Sequence, residues 1–236
     1  MKGFVLSEQL GMFGGDVVGF GDSDLSVRII ERNQANDYII ANHYSGKVYG
    51  LSYIHLGVFG ASDALQGALQ YGYAMNPASC STLVVGTETD QYLELNRMHL
   101  SDDLPRNSES RVIAYSLRYI GKKHPRVKWI QSFADERCGG LGVVYQACSF
   151  DYYGEHTATF WELDGEYFHN IAMTAVNGKA GRRGGQLLQR NKERAVRHDL
   201  RQFRYIKWID RSWAARCRLQ PLPYPKRIPT NIEATQ

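Results

Sequence analysis

The chain has 236 residues, 43% hydrophobic and 22% charged, with a net charge of +4; this is long enough to bury a core in one large domain, or in one domain plus an appendage. No apolar run approaches the roughly 20 residues that span a bilayer, and Met1-Lys2-Gly3-Phe4-Val5-Leu6-Ser7-Glu8 turns polar too early for a secretory signal. Four scattered cysteines without a CxxC pair argue against a zinc knuckle or a disulfide frame, and for reduced thiols in a cytosol.

The charge is unevenly spread. Residues 179–236 carry +11 and residues 1–178 carry −7. A block this basic predicts a polyanion partner. Its aromatics, Phe203, Tyr205, Trp208 and Trp213, favour nucleic acid over a plain solvated tail. A membrane surface is disfavoured, because the basic residues do not gather on one helical face. The expected organisation is a catalytic domain over 1–178 and a basic extension over 179–236, packed on the same domain.

In chain order, Leu25–Ile30 reads as a strand, and Asn33–Asn42 as a helix with Ala35, Tyr38 and Ile39 facing inward. The turn-rich Asn42-His43-Tyr44-Ser45-Gly46 follows. An antiparallel meander is predicted over Val48–Phe59, Ala68–Met75 and Thr82–Gly86. The central block runs strand (92–100), polar loop (101–110), helix (111–121), strand (127–135) and a glycine-broken helix (139–150). A polar loop entering a helix after a strand gathers unpaired N–H groups at the positive helix end, a ready phosphate site. Asp135 closes the next strand beside it. Asp164-Gly165 predicts a hairpin between Ala158–Leu163 and Tyr167–Met173. Arg182–Gly185 reads as a linker, Arg190–Arg201 as a basic helix and Phe203–Ile209 as a terminal strand. The Pro-rich end beyond Pro221 reads as extended or disordered.

This order resembles the GNAT acyltransferase fold, an α/β (α+β) arrangement with a mixed, mostly antiparallel central sheet flanked by helices. The usual glycine-rich pyrophosphate loop is replaced here by Pro105-Arg106-Asn107-Ser108-Glu109-Ser110. A narrower resemblance rests on six blocks in order: Asn42–Gly46, Leu95-Asn96-Arg97-Met98, Pro105–Ser110, Phe133-Ala134-Asp135, Gly142–Ala147 and Arg201–Tyr205. Together they are similar to the Mom DNA-modification family of Mu-like bacteriophages. That resemblance implies conversion of adenine in phage DNA to N6-carbamoylmethyladenine in the host cytoplasm, which blocks host restriction. It also implies dependence on Fe(II), an acetyl-CoA donor, and double-stranded DNA with a flipped adenine as partner.

With that resemblance, His43 is a metal ligand or base, where alone it would be a helix C-cap. Tyr44 positions the target base. Asp135 is a base or metal ligand, against the plainer role of capping the next helix. Arg97, Asn107, Ser108 and Ser110 are candidates for the donor's phosphates, though Arg97 would otherwise pair with Asp102 or Asp103. Tyr145 stands near a leaving thiolate or packs in the core. Arg182, Arg183, Arg190, Lys192, Arg194, Arg201 and Arg204 are the DNA-binding candidates. The remaining histidines lack ligand spacing and receive no role.

The chemistry sets a demand. The adenine N6 lone pair is delocalised, so bond formation needs a base to take a proton, and N6 becomes accessible only when the base leaves the duplex. Two other classes compete. A conventional GNAT N-acyltransferase acting on a protein or small amine is opposed by the glycine-free loop. A non-catalytic DNA-binding protein would bind through the tail regardless of His43 or Asp135.

Overall fold

The computed structural model describes residues 3–7, 15–138, 140–170 and 183–226. Ten strands form one sheet in the order β1-β2-β3-β4-β5-β6-β7-β10-β8-β9. These are β1 (Phe4–Ser7), β2 (Val17–Gly21), β3 (Leu25–Ile29), β4 (Ser52–Gly60), β5 (Leu65–Gly72), β6 (Tyr92–Leu100), β7 (Trp129–Asp135), β8 (Asp151–Leu163), β9 (Glu166–His169) and β10 (Val196–Trp208). The helices are α1 (Arg32–Asn42), α2 (Ser79–Leu83), α3 (Ser108–Lys123), α4 (Val143–Ala147) and α5 (Arg183–Arg190). The mixed, mostly antiparallel sheet flanked by helices is the architecture expected from the sequence.

One junction positions the site. β6 and β7 are parallel, and they pair only from Tyr92↔Trp129 to Glu94↔Gln131. Beyond Glu94 and Gln131 the two strands part, so backbone and side chains there line space instead of a ladder. Strand alternation then sorts the residues of β7 and β10 onto two faces. Ile130, Ala134, Phe203 and Tyr205 join the main core with Val112, Ile113, Tyr119 and Ile120 of α3. Gln131, Phe133, Gln202 and Arg204 face a cavity on the other side.

Several expectations change here. Thr82–Gly86 is not a strand: Ser79–Leu83 is helical, and only Val84 makes a bridge, to Cys217. Helical spacing sends Cys80 and Val84 together into a cluster with Tyr92, Trp129 and Trp213, and that burial outweighs local strand propensity. The expected linker is helical from residue 183, where α5 buries Leu188 against Leu163 and Phe168. Met173 and Arg182 lie outside the described residues.

The expected basic helix over Arg190–Arg201 is replaced by a turn and then β10. That strand pairs with β7 from Gln202↔Asp135 to Trp208↔Trp129, and with β8 from Val196↔Glu162 onward. Charges on and just before it are met by partners far away in sequence: Arg201 of the strand reaches Glu136 and Glu155, and Arg194 in the preceding turn reaches Asp164. The C-terminal segment therefore supplies an interior strand of the sheet. Near the end, Leu222 bridges to Tyr152, and the Tyr224 hydroxyl donates to the Phe150 carbonyl at 2.8 Å.

The entry to α4 depends on a glycine. Gly142 has φ +74, and a Cβ there would meet the Tyr205 ring at 2.3 Å. Gly142→Ala combines left-handed strain with overpacking, and is expected to cost about 2–4 kcal/mol. A clearly lowered thermal midpoint checks this; an unchanged midpoint contradicts it.

Candidate active site on the open face of the sheet

α1 ends at His43, whose amide bonds the Ile39 carbonyl. The chain then folds back so that the Ser45 amide donates to His43 Nδ1 at 3.1 Å, with the Ser45 hydroxyl 2.9 Å from the same nitrogen. Because Nδ1 accepts, the neutral ring carries its proton on Nε2. Burial, with Arg97, His99 and Arg137 nearby, pushes the His43 pKa down to about 4. His43 is therefore a neutral hydrogen-bond donor at physiological pH.

That shift has a sign. The unfolded chain binds the proton from about 6.5 downward and the folded one only near 4, so this contribution is intact above 6.5 and is lost as pH falls through that window. The thermal midpoint is expected to fall between pH 6.5 and 4, with a shallower slope in His43→Gln. An identical slope in that variant contradicts the assignment.

Tyr44 stacks on His43, with ring centroids 4.3 Å apart, and is 59% exposed. Its ring also lies 5.4 Å from the Arg137 guanidinium, which sits 4.2 Å from the Phe160 ring centre. Arg137 in turn grips Asp135: its Nε reaches both carboxylate oxygens at 3.0 Å, its Nη2 bonds Oδ2, and its backbone amide donates to Oδ1. Tyr44, Arg97, Arg137, Phe160, Glu166 and Tyr167 line a cavity of about 620 Å³. Tyr44 and Arg97 thus line this hollow, while His43 and Asp135 adjoin it through Tyr44 and Arg137. Arg137 is the member that sequence reasoning missed; its only local signal is a cation two residues beyond a strand-terminal Asp.

Arg97 does not pair with Asp102 or Asp103. It is largely buried, donates to the carbonyls of Lys47 at 3.1 Å and Asn96 at 2.6 Å, and lies 5.5 Å from the Tyr49 ring. It is also remote from the other donor-binding candidates. Asn107 and Ser108 line a separate hollow of about 240 Å³ with Arg106, Asp102 and Glu109. There Asn107 adopts φ +68 and makes no side-chain cap. The hydroxyls of Ser108 and Ser110 donate to the carbonyls of Pro105 and Asn107. Tyr145 is buried on the α3 side between Phe150 and Tyr205, with ring centroids 5.5 and 5.4 Å away; that is its packed-core reading.

His43 and Asp135 do not fit iron as placed. The His43 lone pair on Nδ1 is taken by Ser45, and Asp135 is saturated by a cation that a metal would have to displace. Among the described residues, no three His, Cys, Asp or Glu side chains are grouped to hold a metal.

The DNA-binding candidates are also divided. Arg182 lies outside the described residues, and Arg183 opens α5. Arg190 is exposed, and Lys192 lies 5.8 Å from the Trp161 ring. Arg194 and Arg201 are engaged in ion pairs. Arg204 points into the large cavity beside the strand junction.

A protein-family comparison matches residues 24–226 to the Mom protein family. A protein of Escherichia phage Mu named methylcarbamoylase mom is 50% identical over 217 residues, covering 90% of this chain and 88% of its own. Among solved structures, ribosomal-protein-S5-alanine acetyltransferase from Vibrio fischeri is 12% identical, with 82% of this chain and 98% of that one covered and a TM-score of 0.49. Spermidine/spermine N-acetyltransferase from Vibrio cholerae is 12% identical, with 79% and 93% covered and a TM-score of 0.48. Among the described residues, no helix is long and apolar enough to cross a membrane.

Proposed function

This chain belongs to the Mom protein family, and from that membership we propose that it is a DNA-modifying transferase that converts adenine in phage DNA to N6-carbamoylmethyladenine. The observation that carries the reading is the 50% identity to the phage Mu methylcarbamoylase over 90% of this chain.

The geometry supports a division of labour across the sheet. On the open face, Tyr44 offers an exposed ring against which DNA bases beside the target can stack. His43 presents its Nε2 proton as a donor, and Arg97 and Arg137 supply fixed positive charge for an oxygen that gains negative charge during transfer. Asp135 holds Arg137 in that position. On the opposite face, first-turn amides of α3 and Arg106 would hold an anion such as a diphosphate beside Asp102 and Glu109. Iron ligation by His43 and Asp135 would require Arg137 to release the carboxylate and Ser45 to release the ring. Exposed Arg190 and Lys192 would hold the DNA backbone in a salt-sensitive manner.

The test is restriction protection. Plasmid grown with this protein should resist cleavage at adenine-containing sites, and plasmid grown with an Asp135→Asn variant should be cut. Equal cleavage of both would contradict the reading.

A further inference from the structure

A cavity of about 1010 Å³ on the open face contains none of the residues assigned above except Arg204. It opens where β6 and β7 part. Glu94, at the last paired position, keeps a cavity-facing surface while protein surrounds its carboxyl group. The Gln131 amide donates to Glu94 Oε2 at 2.8 Å and the Asn96 amide to Oε1 at 3.2 Å. Phe133 and His156 form an edge-on aromatic wall, with ring centroids 5.3 Å apart. The Arg204 guanidinium lies 5.4 Å from the Phe133 ring centre, and its Nε is buried without an acceptor. Among the described residues, the Gln202 side chain has no hydrogen-bond partner. His169 lines both this cavity and the hollow with Tyr44 and Arg137, so the two adjoin.

We infer that this cavity is the pocket for the extruded adenine, with Glu94 accepting a hydrogen bond from the exocyclic amine and so setting the choice of base. The assignment rests on the DNA-modifying reading above and names the recognition site within it. The lining is that of a base pocket: aromatic walls for the ring faces, amides and a guanidinium for ring nitrogens, and a carboxylate for an amino group. Ionised Glu94 repels the oxo group that guanine and hypoxanthine carry at the equivalent position, and so disfavours them. It also disfavours an acyl-donor phosphate.

Burial pushes the Glu94 pKa up, against the lowering hydrogen bonds from Gln131 and Asn96. A carboxyl with a raised folded pKa contributes its stability below the unfolded value and loses it as pH rises through the folded one. Ionised Glu94 therefore costs the fold stability as pH rises. Glu94→Gln should hold or raise the thermal midpoint above pH 7 while it removes recognition.

The experiment measures binding of duplexes carrying a single bulged adenine or a single bulged hypoxanthine, at one salt concentration, by fluorescence anisotropy. The wild type should prefer bulged adenine by about tenfold or more, the discrimination typical of one good base contact. Glu94→Gln should bind both bulges alike, with unchanged affinity for fully paired duplex. Phe133→Leu should weaken both bulged duplexes together. Competition by coenzyme A but not by adenosine monophosphate would instead assign the cavity to the donor and overturn the proposal. So would equal binding of the two bulges by the wild type, or a preference retained in Glu94→Gln. Base analysis of DNA from cells separates this outcome from failure of the function itself: adduct made equally by wild type and Glu94→Gln sinks the pocket alone, whereas no adduct from wild type sinks the enzymatic reading.

Discussion

Asp135→Asn is expected to lower adduct formation by on the order of 100-fold or more, in the range that removal of a positioned acid–base group produces, while the protein stays folded. Asp135 is 9% exposed and gives both its oxygens to Arg137. Asn keeps the shape but loses the charge. The guanidinium then loses its charge-assisted bonds to the carboxylate and is held less firmly in the hollow. The lost charge-assisted bonds should cost about 1–3 kcal/mol, small enough to leave a folded protein. Arg137→Gln distinguishes the two ways in which Asp135 can act. If Asp135 serves by holding Arg137, both variants fall by similar factors. If its carboxylate meets the substrate directly, Arg137→Gln keeps substantially more activity. Wild-type adduct levels in Asp135→Asn remove Asp135 from the site.

The second large effect concerns β10. A chain ending at residue 195 should not fold. β10 pairs along one edge with β7 and along the other with β8, and it buries Phe203, Tyr205, Ile206 and Trp208. Its removal strips two ladders and part of two apolar clusters, more than the ~5–15 kcal/mol that holds a typical domain. Circular dichroism with thermal melting reads the result. A cooperative transition in the chain ending at 195 would show that the basic segment is an appendage after all.

The contrast between β6–α3–β7 and β10 shows what the sequence carries. In the first, apolar residues recur at the period of the element that forms, and the polar loop between them has turn chemistry, so strand, loop, helix and strand are all legible. In β10, Arg197, Asp199, Arg201 and Arg204 mask the alternation, and the partners that neutralise Arg201 lie 65 and 46 positions earlier, at Glu136 and Glu155. Local charge then reads as a solvated helix, although long-range pairing makes it an interior strand. α2 fails for a related reason: the pull on Cys80 and Val84 comes from Trp213, far along the chain.

The site divides in the same way. Tyr44 and Arg97 line one hollow with His43 and Asp135 beside it, because the α1 terminus, β6 and β7 end there. Arg97 parts from Asn107 and Ser108, since the strand that carries it shows Arg97 to one side while α3 begins on the other. His156 and His169 carry no local ligand spacing, and both come to the cavity only through the β8–β9 hairpin. Glu94 is likewise silent in sequence. Its significance lies in the divergence of β6 from β7, which only the strand register reveals.

Mass spectrometry of nucleosides from plasmid DNA grown with this protein in iron-replete cells tests the account most directly. A carbamoylmethyl adduct on deoxyadenosine, absent from cells without the protein, is the predicted result; deoxyadenosine left wholly unmodified by well-expressed, folded protein would contradict it.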